Sequence, residues 1–347
     1  MTIKNLLFSI FLVFTFFTNK AYSQSNYIEK IDSLMNWSYK NGMFNGNILV
    51  SKNKNIIYKS SFGFANADKT IRLTSDYKFN IGSITKEFSA VAILQLKEKG
   101  KLKLNDKISK FFPELPKWSN EVTIKDLLQY TSGIPDINWK KIKSNKDIFE
   151  DLKRIDSLNF KPGTQYDYNN NNFFLRLSII EKISGLSYKE YIHKNIFKPL
   201  KMKSSEITPI LNNKNVAKGF NDKLIEDKPD FLMGGTFITT TDLLKFINKL
   251  HSNKIINQNS LFELGQHYNQ EDTQSALGKA KFLNQNIIEH SHDGRGGNYE
   301  AIIISDVKND FNIILLSNNY KGKIFEISEA IKSILKNQKY NLPQKNN

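Results

Sequence analysis

FNIGSITKEF, residues 79–88, places a hydroxyl three residues before an amine, at the point where an apolar helix is expected to begin. Residues three apart on a helix are surface neighbours, with roughly 5–6 Å between their Cβ atoms. Lys86 can therefore reach the oxygen of Ser83 and, once it has lost its own proton, can activate that oxygen as a nucleophile. The stretch predicts an enzyme that transfers acyl groups.

Context separates this copy of the S-x-x-K pattern from the others in the chain. Further copies, which run into turns, lie in polar connections or belong to a polar helix face, occur at Ser51–Lys54, Ser75–Lys78, Ser305–Lys308 and Ser333–Lys336. Only Ser83 has a glycine just before it and a mostly apolar segment after it, from Phe88 to Leu96. A helix that is apolar around most of its circumference is buried, and burial lowers the pKa of a lysine toward the neutral amine that a base must be. The alternative is that Ser83 caps the helix and Lys86 is an exposed residue of its first turn.

Residues 1–23 have the pattern of a secretory signal peptide. Lys4 precedes an apolar run from Leu6 to Phe17, and the small-x-small sequence Ala21–Ser23 follows. The run is shorter than the about 20 residues that a membrane-spanning helix needs. We therefore expect cleavage near Ser23, no stable membrane insertion, and a periplasmic or secreted protein. A retained anchor is the alternative, because Lys20 lies unusually close to the cleavage site.

Composition excludes several classes of protein. The 347 residues are 39% hydrophobic and include 25 Phe, which suits a globular chain with a sizeable core. The absence of cysteine excludes disulfides and an anchor attached through a lipidated cysteine. The formal net charge is +16, but it comes almost entirely from lysine, whereas arginine is the residue that reads phosphates and bases bidentately. We therefore expect a solvated basic surface and no nucleic-acid partner.

The distribution of patterns along the chain predicts an α+β fold. Strand-like runs lie near both ends of the mature chain, at residues 46–50, 56–64, 286–290, 299–305 and 311–317, and helical patterns flank them at residues 27–39 and 324–335. We expect an antiparallel sheet flanked by terminal helices, built from residues 24–78 and 283–340, with an inserted, mainly helical domain over residues 79–282. Residues 341–347 are expected to form a disordered tail.

Three further segments fit a serine–lysine pair. A turn at Pro162–Thr164 leads to Tyr168-Asn169-Asn170. The passage Gly234-Gly235 leads into a helix that Thr240 or Thr241 is positioned to cap. His292-Asp293-Gly294 opens a glycine-rich stretch that is expected to run into the strand beginning at Tyr299.

At this point the sequence resembles the serine β-lactamase-like hydrolases related to class C β-lactamases, D-Ala-D-Ala carboxypeptidases and family VIII esterases. The resemblance covers nearly the whole mature chain and includes Tyr130–Asp136 (YTSGIPD), which is similar to the family's H-T-S-G-[IL]-P. Any one motif is weak, but the order S-x-x-K, T-S-G, P-G-T with Y-x-N, G-G with [ST]-T, and H-x-G is specific. We expect the T-S-G turn to be structural.

The resemblance implies a role for each matching position. Ser83 would be the nucleophile, and Lys86 and Tyr168 would shuttle its proton, with the pKa of the phenol lowered by the nearby amine. Asn170 would bind the substrate amide or the Lys86 amine. His292 would also act at the catalytic centre. The backbone N–H groups of Ser83 and of Arg295, just after Gly294, would form the oxyanion hole.

Three positions depart from the family pattern. His292 stands where β-lactamases usually have lysine, and histidine is mostly neutral at pH 7, which argues against a true β-lactamase. Asn169 replaces the commonest residue, serine. Asn298 stands where a glycine is expected, and asparagine tolerates positive φ better than most residues. The guanidinium of Arg295 is a hypothetical ligand for a substrate carboxylate, with a solvent-facing loop arginine as the alternative.

These residues predict an exported serine hydrolase. It would act through an acyl-enzyme on a small-molecule or short-peptide substrate, such as a D-amino-acid peptide or small ester, with at most weak β-lactam hydrolysis and with peptidoglycan as a further partner. His290 and His292 lie two residues apart, but the other three histidines show no ligand spacing, so we expect no metal and no other cofactor. The alternative is a catalytically inert envelope-binding protein that retains the fold.

Overall fold

In this computed structural model, which describes residues 27–137, 141–209, 213–228, 233–269 and 273–344, the strands of the main sheet lie near the two ends of the chain and most helices lie between them. The helices are α1 (residues 27–40), α2 (Thr85–Glu98), α3 (Ile124–Gln129), α4 (Asn145–Leu152), α5 (Asn170–Ser184), α6 (Tyr188–Ile192), α7 (Thr240–His251), α8 (Gln258–Leu264) and α9 (Ile324–Leu335). The strands are β1 (Gly46–Lys52), β2 (Asn55–Phe62), β3 (Phe79–Asn80), β4 (Glu206–Ile207), β5 (Thr236–Ile238), β6 (Lys279–Leu283), β7 (Asn286–Gly296), β8 (Tyr299–Asp306) and β9 (Phe311–Ser317). The predicted signal peptide lies outside the described residues. No helix in the described part of the chain is both long and apolar enough to cross a membrane.

The main sheet joins the two ends of the chain. Its six strands lie in the order β2-β1-β9-β8-β7-β6, and every neighbouring pair is antiparallel. The predicted α+β fold with an antiparallel sheet is confirmed. Strand β6 escaped prediction because Ala280 is its only buried residue and two of its five residues are lysines.

Both faces of the central strands are covered, and this explains their continuous apolar sequence. One face packs on α1 and α9 through Ile48, Val50, Ile313 and Leu315 and their helical partners. The alternate residues of the same strands, including Leu49 and Ile314, face the core shared with the middle of the chain. The period of two residues along each strand therefore divides the interior into two clusters.

Helix α2 runs through the centre of the cluster that the sheet shares with the middle of the chain. Phe88 is fully buried, and its ring lies 5.6 Å from the ring of Phe197 and 4.3 Å from that of Phe246, measured between centroids. The expectation of a buried apolar helix after Ser83 is confirmed. The region between the sheet segments is mainly helical but also contains a small sheet, β3-β5-β4, whose strands of two or three residues are too short to show a period in the sequence.

The structure differs from two predictions about the ends of helices and of the chain. Helix α7 is capped by Thr239, whose side chain accepts a hydrogen bond from the N–H of Asp242, so the predicted caps Thr240 and Thr241 lie within the helix instead. Residues 341–344 are described, and the N–H of Gln344 donates to the Glu326 carboxylate at 2.9 Å. The rest of the predicted disordered tail lies outside the described residues.

Candidate active site

Ser83 lies in a single 3-10 turn, Gly82–Ile84, that leads directly into α2. Strand β7 passes against this turn so closely that a Cβ on Gly82 would lie 2.4 Å from the backbone N of Arg295. A Cβ on Gly294 would lie 2.0 Å from the carbonyl oxygen of Ile81 and 2.9 Å from the N of Ser83. Both positions therefore require glycine. This close approach is what two backbone oxyanion donors, Ser83 and Arg295, would need, although their role stays a prediction.

Lys86 contacts the serine from the first turn of α2. Its Nζ lies 3.1 Å from Ser83 Oγ, and the residue is 7% exposed. The pKa of Lys86 is lowered to about 8, chiefly by burial; Tyr130 opposes this lowering, and the positive charge of Arg176 adds to it. The predicted lowering of this pKa is confirmed. The alternative of an exposed first-turn lysine is wrong, and Ser83 does not cap α2 with its side chain.

Tyr168 contacts the same oxygen from the opposite side of the site. Its hydroxyl donates to Ser83 Oγ at 2.9 Å, and Lys86 Nζ lies 5.2 Å from the centre of its ring. Burial raises the pKa of Tyr168, and the hydrogen bond to Ser83 and the charge of Arg176 only partly oppose this. The expected lowering by the amine is therefore wrong. Tyr168 is therefore a protonated donor to Ser83, and the role of Lys86 as the base stays a prediction.

The T-S-G turn holds the loop that carries Tyr168. The carbonyl of Thr131 accepts a hydrogen bond from the N–H of Gly163, and that of Tyr130 accepts one from Asp167, both at 2.9 Å. Asn169 is buried, accepts from the N–H of Asn171 as the cap of α5, and donates to the carbonyl of Ile134 at 2.9 Å. The asparagine that replaces the family's serine thus fixes the backbone next to Tyr168.

Asn170 and His292 differ from their predicted contacts. Asn170 is half-buried, and its side chain forms no hydrogen bond with the described residues, so the expected bond to the Lys86 amine is not formed. His292 lies within β7, because the stretch predicted as a glycine-rich connection is the second half of that strand. Its Nδ1 is 2.8 Å from Glu87 Oε1, while its Nε2 is buried without a hydrogen-bond partner among the described residues. The turn after β7 has its positive φ at Gly297 (+58°), not at Asn298 as expected.

Comparison with known proteins assigns the chain to a family. The family model described as Beta-lactamase matches residues 29–332. The chain belongs to the Beta-lactamase family. Its members include serine hydrolases with the same fold.

Individual members of the Beta-lactamase family are similar over most of the chain. Protein flp of Staphylococcus aureus (strain N315) is 29% identical over 335 residues, which cover 90% of this chain and 67% of that protein. A penicillin binding protein from Bacillus halodurans has the same fold, with a TM-score of 0.76, 23% identity, and coverage of 88% of this chain and 98% of that one. A class C β-lactamase gives a TM-score of 0.78 at 21% identity, covering 92% and 98% of the two chains.

A buried polar group behind the site was not predicted from the sequence. Glu87 is fully buried on α2, and its Oε1 lies 2.8 Å from His292 Nδ1 and 3.4 Å from His290 Nε2. His290 Nε2 also lies 2.8 Å from the carbonyl of Leu277, and its Nδ1 lies 3.0 Å from His251 Nε2. The three rings and the carboxylate form one hydrogen-bonded and ion-paired group. Among the described residues, no group of three or more His, Cys, Asp or Glu side chains is arranged so that it could hold a metal ion.

The charges in this group can be assigned from its contacts. Burial alone would raise the pKa of Glu87, but the charge of His290 and the hydrogen bonds of His290 and His292 outweigh it and lower that pKa. Burial would lower the pKa of His290, but the Glu87 carboxylate raises it. Burial and the charge of His290 lower the pKa of His251 to about 3. The directions of these pKa shifts favour a charged Glu87–His290 pair beside a neutral His251 ring, and a charged His290 would donate from Nδ1 to His251 Nε2. The sequence signal for this group was Glu87 itself. A glutamate directly after Lys86, on a helix expected to be buried, needs a partner of opposite charge.

Arg176 is the second group that the sequence did not reveal. It is fully buried on α5, donates from Nε to Ser89 Oγ at 3.1 Å and from Nη1 to the Leu127 carbonyl at 2.6 Å, and its Nη2 has no hydrogen-bond partner among the described residues. Ser89 in turn donates to the carbonyl of Lys86 at 2.8 Å. Phe173 lies between the two cations, 5.5 Å from Lys86 Nζ and 5.7 Å from the guanidinium carbon of Arg176, measured to the ring centre. An arginine inside an apolar helix was the available signal.

Replacing Arg176 with methionine is expected to move the acid limb of the pH profile of kcat/KM to higher pH. The buried cation lowers the pKa of Lys86, so its removal lets the lysine keep its proton longer, and activity at pH 7 should fall severalfold and recover above pH 9. The phenols of Tyr130 and Tyr168, also near Lys86, stay protonated over this range, since burial raises both pKa values. The profile of Arg154→Met, an exposed arginine paired with Asp151, is the control. An unchanged or lowered limb in the Arg176 variant contradicts the assignment.

Arg295 is exposed, as the alternative of a solvent-facing arginine has it, but it lies in β7 opposite Glu300 and not in a loop. Its guanidinium carbon is 3.7 Å from the centre of the Tyr320 ring, a cation–π contact at the surface. This contact fixes the direction of the side chain. Binding of a substrate carboxylate by Arg295 stays a prediction.

Proposed function

We propose that this protein is an exported serine hydrolase that forms an acyl-enzyme at Ser83. One observation supports this proposal most directly. Ser83 Oγ lies within hydrogen-bond distance of both Lys86 Nζ and the Tyr168 hydroxyl, at 3.1 and 2.9 Å, and the pKa of Lys86 is lowered to about 8. A sizeable fraction of that lysine is then a neutral amine near pH 7–8, next to the hydroxyl that it would deprotonate.

Each group has a defined part in the proposed reaction. The substrate carbonyl oxygen would lie between the backbone N–H groups of Ser83 and Arg295. Neutral Lys86 takes the proton of Ser83 as Oγ bonds to the carbonyl carbon, and the two N–H groups stabilise the resulting oxyanion. Tyr168 gives its proton to the leaving alcohol or amine as the carbon–heteroatom bond breaks, and the Lys86 ammonium reprotonates it. Water then attacks the acyl ester by the reverse sequence and releases the acid.

The proposed substrates are esters, amides or peptides, with D-amino-acid peptides and small esters first. His292 stands where β-lactamases usually have lysine, and Glu87 holds its ring through Nδ1, so no lysine ammonium is available at this position for a β-lactam carboxylate. Hydrolysis of β-lactams would then be weak. Action on peptidoglycan in the periplasm, or outside the cell, belongs to the same proposal.

Covalent labelling tests the proposal against an inert binding protein. A fluorescent fluorophosphonate and a fluorescent penicillin are each incubated with the purified protein, and the adduct is located by mass spectrometry. We expect an adduct on Ser83 with at least one probe, its complete loss in Ser83→Ala, and full labelling of Ser75→Ala, the serine of another S-x-x-K copy. Equal labelling of the Ser83 variant, or no adduct with either probe, favours the inert protein.

The substrate class follows from turnover by the labelled enzyme. Nitrocefin, p-nitrophenyl esters and D-Ala-D-Ala peptides differ in leaving group but present the same acyl chemistry. We expect turnover of the esters or peptides to exceed that of nitrocefin. Faster turnover of nitrocefin than of the other two would identify a β-lactamase instead.

A further inference from the structure

Among the described residues, the second half of β7 pairs with a strand along one edge only, and it lies beside the turn that carries the nucleophile. Strand β6 pairs with β7 only as far as Lys279 opposite Ser291, whereas β8 pairs along the other edge as far as Gly296. Asp293 lies in this part of β7, between His292 and Gly294. Gly294 packs against the backbone of Ser83, and Asp293 directly precedes Gly294 in the strand. Asp293 is therefore the neighbour in sequence of a residue that contacts the turn carrying the nucleophile.

The carboxylate of Asp293 is exposed and uncompensated. It forms no ion pair or hydrogen bond with any described residue. Its negative charge acts on Tyr168, where it helps to raise the pKa of the phenol, and that hydroxyl is 2.9 Å from Ser83 Oγ. The basic side chains near the nucleophile, unlike Asp293, are either buried or in contact with another side chain. Lys86 and Arg176 are buried behind the nucleophile, and Arg295 lies over the Tyr320 ring. Of these charged side chains, Asp293 is therefore the exposed one that forms no hydrogen bond, ion pair or ring contact with a described residue.

A unit charge in this position discriminates between substrates by their charge. In partly screened surroundings, a unit charge within several ångströms of a bound ion changes its relative stability by a factor of about five to ten. An ammonium near the scissile bond would be attracted, and a carboxylate in the same place would be repelled by a similar factor.

We propose that Asp293 selects substrates that carry an ammonium group close to the scissile carbonyl, such as amino acid esters and amides or peptides with a free amino terminus. This inference rests on the proposed acyl-enzyme function and narrows its substrate class. It also disfavours substrates whose carboxylate lies near the reacting carbonyl.

Three esters that differ only in the group on the amine provide the test. They are D-alanine methyl ester, N-acetyl-D-alanine methyl ester and N-succinyl-D-alanine methyl ester, which carry on the nitrogen next to the same scissile carbonyl an ammonium charge, no charge, and a carboxylate at the end of a short acyl chain. We expect kcat/KM to fall about fivefold from the first to the second and about fivefold again to the third, with both ratios shrinking at 1 M salt. Asp293→Asn should bring both ratios close to one, and Asp76→Asn, which changes an exposed aspartate in the turn before β3, should leave them unchanged.

The alternatives give different results. If Arg295 governs the choice, the succinylated ester will be the best substrate and Arg295→Ala will remove that preference, which overturns the inference. If the acetylated ester is cleaved as fast as the free amine, or none of the three is cleaved, while the fluorophosphonate still labels Ser83, the inference is overturned and the proposed function stands. If Ser83 is not labelled at all, both fall together.

Discussion

Replacing Lys86 with methionine is expected to lower kcat/KM for p-nitrophenyl esters by about 10³-fold. Methionine has a similar length and tolerates burial, so the change removes the base without leaving a charged group in the interior. Ser83 would keep its hydrogen bond to Tyr168, but a protonated phenol cannot accept the serine proton. The activity of Lys86→Met should therefore stay low at every pH at which the folded enzyme can be assayed.

Lys99→Met is the matched control for this variant. Lys99 directly follows α2 and is exposed, with its amine 3.5 Å from Asn195 Oδ1. Its replacement should leave kcat/KM within twofold of the parent enzyme. Residual activity of Lys86→Met above about a tenth of the parent value would show that Lys86 is not the base. Thermal unfolding of both variants establishes that the comparison is made between folded proteins.

Replacing Glu87 with glutamine is expected to destabilise the protein by about 3–5 kcal/mol, because it leaves the buried His290 cation without its counter-charge. The size of the loss depends on pH. The lowered pKa of Glu87 contributes stability above the ordinary glutamate pKa of about 4, and the raised pKa of His290 contributes fully below the ordinary histidine pKa of about 6.5. The difference in unfolding midpoint between the two proteins should therefore be largest at pH 5–6 and smaller at pH 9.

An exposed glutamate separates this effect from a general loss of negative charge. Glu150 pairs with Lys153 at the surface of α4, and Glu150→Gln should change stability little at either pH. A loss in Glu87→Gln that was equal at pH 5.5 and pH 9 would argue against an ion pair with His290. A variant as stable as the parent would show that the carboxylate is not charged in the folded state.

The sequence was sufficient for the features that depend on hydrophobic pattern and on motif order. The strands at both ends of the chain were visible because each has a short apolar run, and α2 was visible because residues 88–96 are apolar on nearly every face. Burial then followed for Lys86, and so did the direction of its pKa. The spatial meeting of Ser83, Lys86 and Tyr168 followed from a resemblance, since hydrophobic pattern alone does not place Tyr168 beside a serine so far away in sequence.

What the sequence did not reveal depends on balances between opposing effects. The pKa of Tyr168 was expected to fall because an amine is near, but desolvation of the phenol raises it and outweighs the hydrogen bond to Ser83 and the charge of Arg176. The extent of β7 was underestimated because glycine and aspartate are poor strand formers, and pairing with β8 overrides this preference. Glu87 and Arg176 looked like isolated charges, since their partners His290 and Ser89 come from other parts of the fold.

The pairing of β1 with β9 has a consequence for how the molecule is made. Gly46 lies opposite Ser317, so the strand near the start of the chain completes its pairing only with one of the last strands to leave the ribosome. Contacts between segments so far apart in sequence form slowly, because a long loop must close before they bring any gain. Strand β7, which supplies His292 and the backbone of Arg295, lies in the same late part of the chain. The nascent chain therefore carries Ser83 and Lys86 long before it can carry a complete catalytic centre.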